Sequence, residues 1–111
     1  MKTARVVYRP EALASLERIY CYVAEKSQDY GVAEGFVQRL MARCRSIGNA
    51  PYGGRPRDDL EPGLRTIPFE RRAVIAYVVS DVVEITDVFY GGRDYEALYH
   101  PGKAGEASSD E

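Results

Sequence analysis

The sequence has no tryptophan, one histidine, two methionines and two cysteines in 111 residues. The lone histidine, His100, lies near the end of the chain, and Cys21 and Cys44 fall on segments that read as different helices. No zinc-type spacing and no disulfide framework can be drawn from that set, so no metal site and no cofactor is expected. Long apolar runs are also missing. The first ten residues carry Lys2 and Arg5 without an apolar stretch, so neither a signal peptide nor a membrane anchor is expected, and the chain is placed in the cytoplasm with reduced thiols. No Lys-Ser or Lys-Thr follows the glycine pairs at 53–54 and 91–92. A nucleotide P-loop is thereby excluded, and the glycines read as turns.

What is present is one domain's worth of sequence, 45% hydrophobic and 29% charged, the balance of a globular chain with a single core. A core of this size leaves little interior for a deep substrate cavity, which favours work done on an exposed surface. The net charge of −2 argues against a generally cationic nucleic-acid binder. It conceals a basic middle: between Arg39 and Arg72 there are eight arginines against four acids, Asp58, Asp59, Glu61 and Glu70. The guanidinium fork suits carboxylate or phosphate, so an acidic protein partner and an RNA backbone both remain open, as does a simple solvated surface.

Residues 3–8 are partly β-branched and run into Arg9-Pro10, which reads as a strand entering a helix with proline at its first position. Leu13, Leu16, Ile19, Tyr20 and Val23 form the apolar stripe of a helix reaching about Lys26, with Tyr22 on the opposite face. Asp29 is the expected cap of a second helix, whose stripe is Ala33, Phe36, Val37, Leu40, Cys44 and Ile47. Gly48-Asn49-Ala50-Pro51 stops it. The stretch from Pro51 to Gly63 holds three prolines and three glycines and reads as a loop that places Arg55 and Arg57 on the surface. Three strand-like runs follow, 64–69, 72–79 and 82–90, separated by gaps short enough for hairpins. The middle run is nearly all apolar and is expected at the centre of the sheet. Ile85 and Val88 break strict alternation, which predicts a bulge near Thr86-Asp87. Tyr95 to Tyr99 reads as a helical turn, and residues 101–111 as a disordered acidic tail. The expected fold is α+β, β-α-α-β-β-β, with a helical hairpin on a mostly antiparallel four-stranded sheet over residues 1–100.

No carboxylate pair has the spacing of an acid–base dyad, Asp58-Asp59 included. Tyr90-Gly91-Gly92-Arg93-Asp94 ends the last strand with two glycines that permit a sharp turn and present a guanidinium at the sheet's margin, or simply a local Arg93–Asp94 ion pair. Nine tyrosines give large contact areas with polar tips, as protein interfaces favour.

Taken in order, Pro10 with Leu13, Leu16, Ile19, Tyr22 and Val23, then Ala33 and Phe36, then 51–60 (PYGGRPRDDL) resemble a ParE-family toxin. The second half agrees: GLRTIP from Gly63, Ile75-Ala76-Tyr77, VEITDV from Val83 and Gly91-Gly92-Arg93-Asp94 are similar to that family's strand motifs, and the similarity runs from about Val6 to Tyr99. The resemblance implies the RelE/ParE superfamily fold and the role of toxin in a type II toxin–antitoxin pair that poisons DNA gyrase. It also implies a cognate ParD-like antitoxin in a hetero-oligomer, through which any DNA contact would come. RelE relatives instead cut mRNA on the ribosome. On that alternative Arg93 and Tyr99 occupy the places of a catalytic arginine and tyrosine, while Val74 stands where a further active-site arginine is expected. Otherwise no residue is catalytic. Arg55, Arg57, Arg65 and Arg72 are expected to line an antitoxin groove with Tyr77 as an apolar wall, and Arg93, Asp94 and Tyr99 to meet the target.

Overall fold

The structure is a computed structural model and describes residues 3–91 and 94–99. Strand β1 (Val6–Tyr8) leads directly into helix α1 (Pro10–Ser27), which turns into helix α2 (Tyr30–Ile47). A single 3-10 turn at Pro51–Gly53 precedes strand β2 (Arg55–Pro56). Then come β3 (Arg65–Phe69), β4 (Ala73–Val79), β5 (Val83–Tyr90) and the short helix α3 (Glu96–Tyr99).

Local chemistry sets the helix ends. Pro10 sits at the start of α1, where its missing N–H costs nothing. Gln28, at φ 58°, ends α1 in the left-handed region, and its side-chain amide donates back to the Glu25 carbonyl at 2.7 Å. Asp29 Oδ1 then accepts from the Gly31 and Val32 N–H groups at 2.8 and 3.3 Å, satisfying two donors that the first turn of α2 leaves open. With so short a link the helices form an antiparallel hairpin.

The sheet has five strands in the order β1-β5-β4-β3-β2, one more than expected. The additional strand is β2, whose Arg55 and Pro56 pair antiparallel with Thr66 and Arg65. Two residues carry no period, and a proline there is tolerated because β2 is the edge. β4 is the central strand, and β1 runs parallel to β5. The bulge is where expected: Ala76 pairs Asp87 but Tyr77 pairs Ile85, so Thr86 is the extra residue. The β3–β4 turn joins Phe69 to Arg72 through Glu70 and Arg71, both at positive φ, 50° and 58°. Arg39 of α2 grips the Glu70 carboxylate with two hydrogen bonds of 2.9 and 3.1 Å.

The helix pair covers one face of the sheet. Leu16, Ile19, Val23, Phe36, Leu40, Cys44 and Ile47 pack there on Ile67, Ile75, Tyr77, Ile85 and Val88. Leu13, placed on the apolar stripe, is instead exposed, while Ala12 and Ser15 are buried. The α1 stripe is thus rotated by about one position, because small residues bring the helix closest to β5. The other face carries a second, smaller cluster of Leu60, Leu64, Ala76 and Phe89, flanked by Val74, Val78, Tyr95 and Tyr99.

Buried in the first core, the Tyr8 hydroxyl has no oxygen or nitrogen partner among the described residues and lies against the Cys44 thiol, a weak partner. Burial pushes the Tyr8 phenol well above its usual range and the Cys44 thiol up to about 11. Both groups therefore stay neutral in the fold. The free energy from keeping the Cys44 thiol protonated is fully present below about pH 9, the ordinary thiol value, and is lost as pH rises through 11. Tyr8→Phe removes an unsatisfied polar atom without changing shape. It is expected to leave stability unchanged or raise it by about 1 kcal/mol in urea denaturation at pH 7.

Candidate functional site

Two arginine clusters lie on the sheet, and the residues singled out in the sequence divide unequally between them. The first surrounds the loop before β2. Its anchor is Tyr77 on β4, a side chain with no exposed surface. The Tyr77 hydroxyl accepts the Gly54 N–H at 2.9 Å and donates to the Pro51 carbonyl at 2.8 Å. Burial raises the phenol's pKa, against the lowering effect of the Gly54 hydrogen bond, so it remains a donor. A neighbouring grip comes from Arg65 on β3, whose Nη1 donates to the carbonyls of Tyr52 and Gly54 at 2.9 and 2.8 Å. The Arg65 guanidinium lies 5.2 Å over the Tyr52 ring centroid. Held from below in this way, the loop presents Tyr52, 69% exposed, and Arg55, whose side chain makes no hydrogen bond or ion pair among the described residues.

This geometry corrects two expectations. Tyr77 is no wall of a groove: alternation puts it with Ile75 on the helix-covered face, and its function is to hold the loop. Arg57 is not a surface cation either. At 8% exposure it is buried under α3, with Nε and Nη2 donating to the two Asp59 carboxylate oxygens at 3.0 and 2.9 Å. Nη2 also donates to Glu96 at 2.7 Å and Nη1 to the Tyr95 hydroxyl at 3.4 Å. These bonds, first to Asp59 and then to Glu96, raise the Arg57 pKa further and tie the loop of residues 57–64 to the C-terminal segment.

The second cluster lies at the other end of the β3–β4 ladder. Arg65 pairs with Tyr77, five residues along β4 from Arg72, so the two arginines are about 17 Å apart along the sheet and cannot line one short rim. A cleft of about 270 Å³ is lined there by Pro68, Arg71, Arg72, Val74, Phe89 and Tyr95. Its wall is aromatic: the Tyr95 ring stacks on Phe89 at 4.9 Å and 11°, and Tyr99 meets the same ring edge-on at 6.4 Å. Burial raises the Tyr99 phenol's pKa, opposed by a hydrogen bond with Thr86 on the bulge. Asp94 is exposed, and its carbonyl accepts the Ala97 N–H at the start of α3. Arg93 lies outside the described residues, as does the acidic tail at 101–111.

Tyr52, Arg71 and the Phe89–Tyr95 stack are site features that the residue-by-residue reading missed. For Tyr52 a signal existed, since an aromatic residue between proline and two glycines has no regular element to bury it. Among the described residues there is no group of three or more metal-ligating side chains, and no helix is long and apolar enough to cross a membrane.

A family model described as the ParE toxin of the type II toxin–antitoxin system parDE matches residues 6–95. Among solved structures, a chain of the chromosomal ParDE toxin–antitoxin system from P. aeruginosa superposes with a TM-score of 0.70 at 20% identity, covering 80% of this chain and 97% of that one. No curated protein matches. That neighbour speaks for the layered arrangement of hairpin and sheet, and the family match extends from β1 to the residue stacked on Phe89. The chain belongs to the ParE family, the toxins of type II toxin–antitoxin systems.

Proposed function

We propose that the chain stops growth by binding DNA gyrase through the sheet face opposite the helices, and that a ParD-like antitoxin neutralises it in a hetero-oligomer. The observation that carries the target reading is the chemistry of that face. Val74, Val78, Tyr95 and Tyr99 make an apolar and aromatic surface over the buried Phe89, edged by Arg71 and Arg72. Such a surface suits contact with a protein. Tyr99, the residue an mRNA-cutting reading relies on, keeps its proton more tightly than a free phenol, which leaves less phenolate available to act as a general base. Purified chain is expected to inhibit gyrase supercoiling and to accumulate cleaved DNA complexes. Codon-linked mRNA cuts on translating ribosomes, with gyrase unaffected, would replace this reading with the nuclease one.

The antitoxin reading rests on the loop held by Tyr77 and Arg65. Tyr52 and Arg55 offer an aromatic shelf and, beside a sheet edge, a guanidinium with no ion-pair partner among the described residues, which fits an acidic amphipathic segment. Arg55→Glu changes only an exposed charge and is the clean test. It is expected to weaken antitoxin binding about tenfold in calorimetry while the melting temperature stays put. Arg65→Glu is expected to cost more, because it also releases two carbonyls. Unchanged affinity for Arg55→Glu would remove this edge from the interface.

A further inference from the structure

Strand β1 pairs with β5 only at Val83–Ile85, and the chain then leaves the sheet to begin α1. The rest of β5 on that side has no strand neighbour among the described residues. The Gly91 N–H points the other way, to the Arg72 carbonyl at 2.8 Å. Alternation along an antiparallel strand therefore directs the N–H and carbonyl of Tyr90, and those of Val88, to the open side. At Val88 the protein supplies its own stopper: the N–H donates to Asp87 Oδ1 at 2.7 Å, and Ser15 Oγ donates to the same oxygen. Among the described residues Tyr90 has no such stopper.

A groove of about 270 Å³ runs along this edge between α1 and β5, lined by Arg18, Ile19 and Tyr22 on the helix and Val88, Tyr90 and Gly91 on the strand. The two elements run in the same sense, since Ser15 meets Asp87 while Tyr22 meets Tyr90, ring to ring at 5.6 Å. Arg18, Tyr22 and Lys26 follow each other at four-residue intervals and form one ridge beside the groove. Neither cation on the ridge makes an ion pair among the described residues: Arg18 donates to Ser15 Oγ at 2.9 Å, and the Lys26 ammonium lies 5.7 Å over the Tyr22 ring centroid. Glu17, Cys21 and Glu25 occupy the neighbouring stripe, which repels an acidic segment from a position further out on the helix.

We infer that this open edge of β5 is a strand-addition site for an extended segment of a partner protein with the pattern acidic–x–apolar–x–acidic. The register argument is geometric. Four residues of helix rise about 6 Å and two residues of strand about 6.6 Å, so alternate side chains of an added strand keep step with the ridge. One acid meets Arg18, the apolar residue meets Tyr22, and the second acid meets Lys26. The backbone of the added strand pairs with Tyr90, continuing the lane that β1 vacates. This surface is separate from the Tyr52–Arg55 edge and from the aromatic face, and it stands whether or not gyrase is the target.

The probe is the capped peptide acetyl-Thr-Glu-Thr-Val-Thr-Glu-Thr-amide carrying a fluorophore, titrated against the full chain at low ionic strength. Saturable binding is expected, with hydrogen exchange at the Tyr90 amide slowed at least tenfold at saturation. Arg18→Glu combined with Lys26→Glu is expected to weaken binding at least tenfold, and so is replacing both peptide glutamates with glutamine. Both substituted side chains are on the helix surface, so an unchanged melting curve shows that the fold is intact. The proposal is overturned by no saturation up to about 1 mM, by affinity that ignores both charge changes, or by unchanged exchange at Tyr90. A Tyr90 amide already protected in the free chain, alone or with dimer formation in sedimentation, would mean that the groove is filled by the chain itself or a second copy, and overturns it too.

Discussion

Phe89→Ala is expected to cost about 3–5 kcal/mol of stability and to abolish growth inhibition. Phe89 is 3% exposed, sits at the centre of the smaller core, and is the ring on which both Tyr95 and Tyr99 rest. Its removal leaves a cavity beside Leu60, Leu64 and Ala76 and takes away the platform of the C-terminal segment. Against the 5–15 kcal/mol typical of a whole domain, that loss is large, and a lower urea midpoint would register it. Toxicity lost through unfolding says nothing about the target surface, so the companion variant is Tyr95→Ala. Tyr95 is partly exposed, and losing its stack is expected to cost about 1 kcal/mol while the fold persists. If the aromatic face contacts gyrase, Tyr95→Ala still inhibits supercoiling at least tenfold less well. A folded Tyr95→Ala chain with full inhibition would move the target surface elsewhere.

The second large effect is expected at the loop held by Tyr77. A Cβ added at Gly54 would run into the Tyr77 hydroxyl and ring, and the ring is packed in the main core and cannot retreat. Gly54→Ala is therefore expected to lose about 1–3 kcal/mol through overpacking. Tyr77→Phe keeps the ring but leaves the Gly54 N–H and the Pro51 carbonyl without their partner, at a similar cost of about 1–3 kcal/mol. Each change frees the same loop, so the double variant is expected to fall well short of the sum of the singles. Both should also weaken antitoxin binding, because Tyr52 and Arg55 then lose their fixed placement. Additive losses in urea denaturation would show that the two residues act independently and that the hydroxyl does not anchor the loop.

Where periodicity speaks, the sequence was sufficient. Both helices, the Asp29 cap, the central position of β4 and the bulge at Thr86 follow from spacing and residue type alone. Errors arise where a side chain's surroundings depend on distant partners. Arg57 reads as a surface charge in a glycine- and proline-rich loop, and only the arrival of Glu96, 39 residues later, buries it. Arg72 is near Arg65 in the chain but a whole ladder away in space, because strands extend rather than coil. The two-residue strand β2 has no period to detect. Tyr77 was within reach of the sequence, since it shares parity with Ile75, whose apolar side chain had to face the helices.

The β3–β4 turn bears on the order of assembly. Glu70 and Arg71 hold left-handed backbone without glycine or asparagine, at about 1–2 kcal/mol each, so this hairpin is poorly disposed to close unaided. What offsets the strain comes from α2: the Arg39 grip on Glu70, and Phe36 set edge-on against Phe69 at 5.8 Å. During synthesis α2 is complete before the turn leaves the ribosome. The helix thus acts as a template on which the hairpin bends, and the apolar strands of this sheet are spared a period of pairing with strangers.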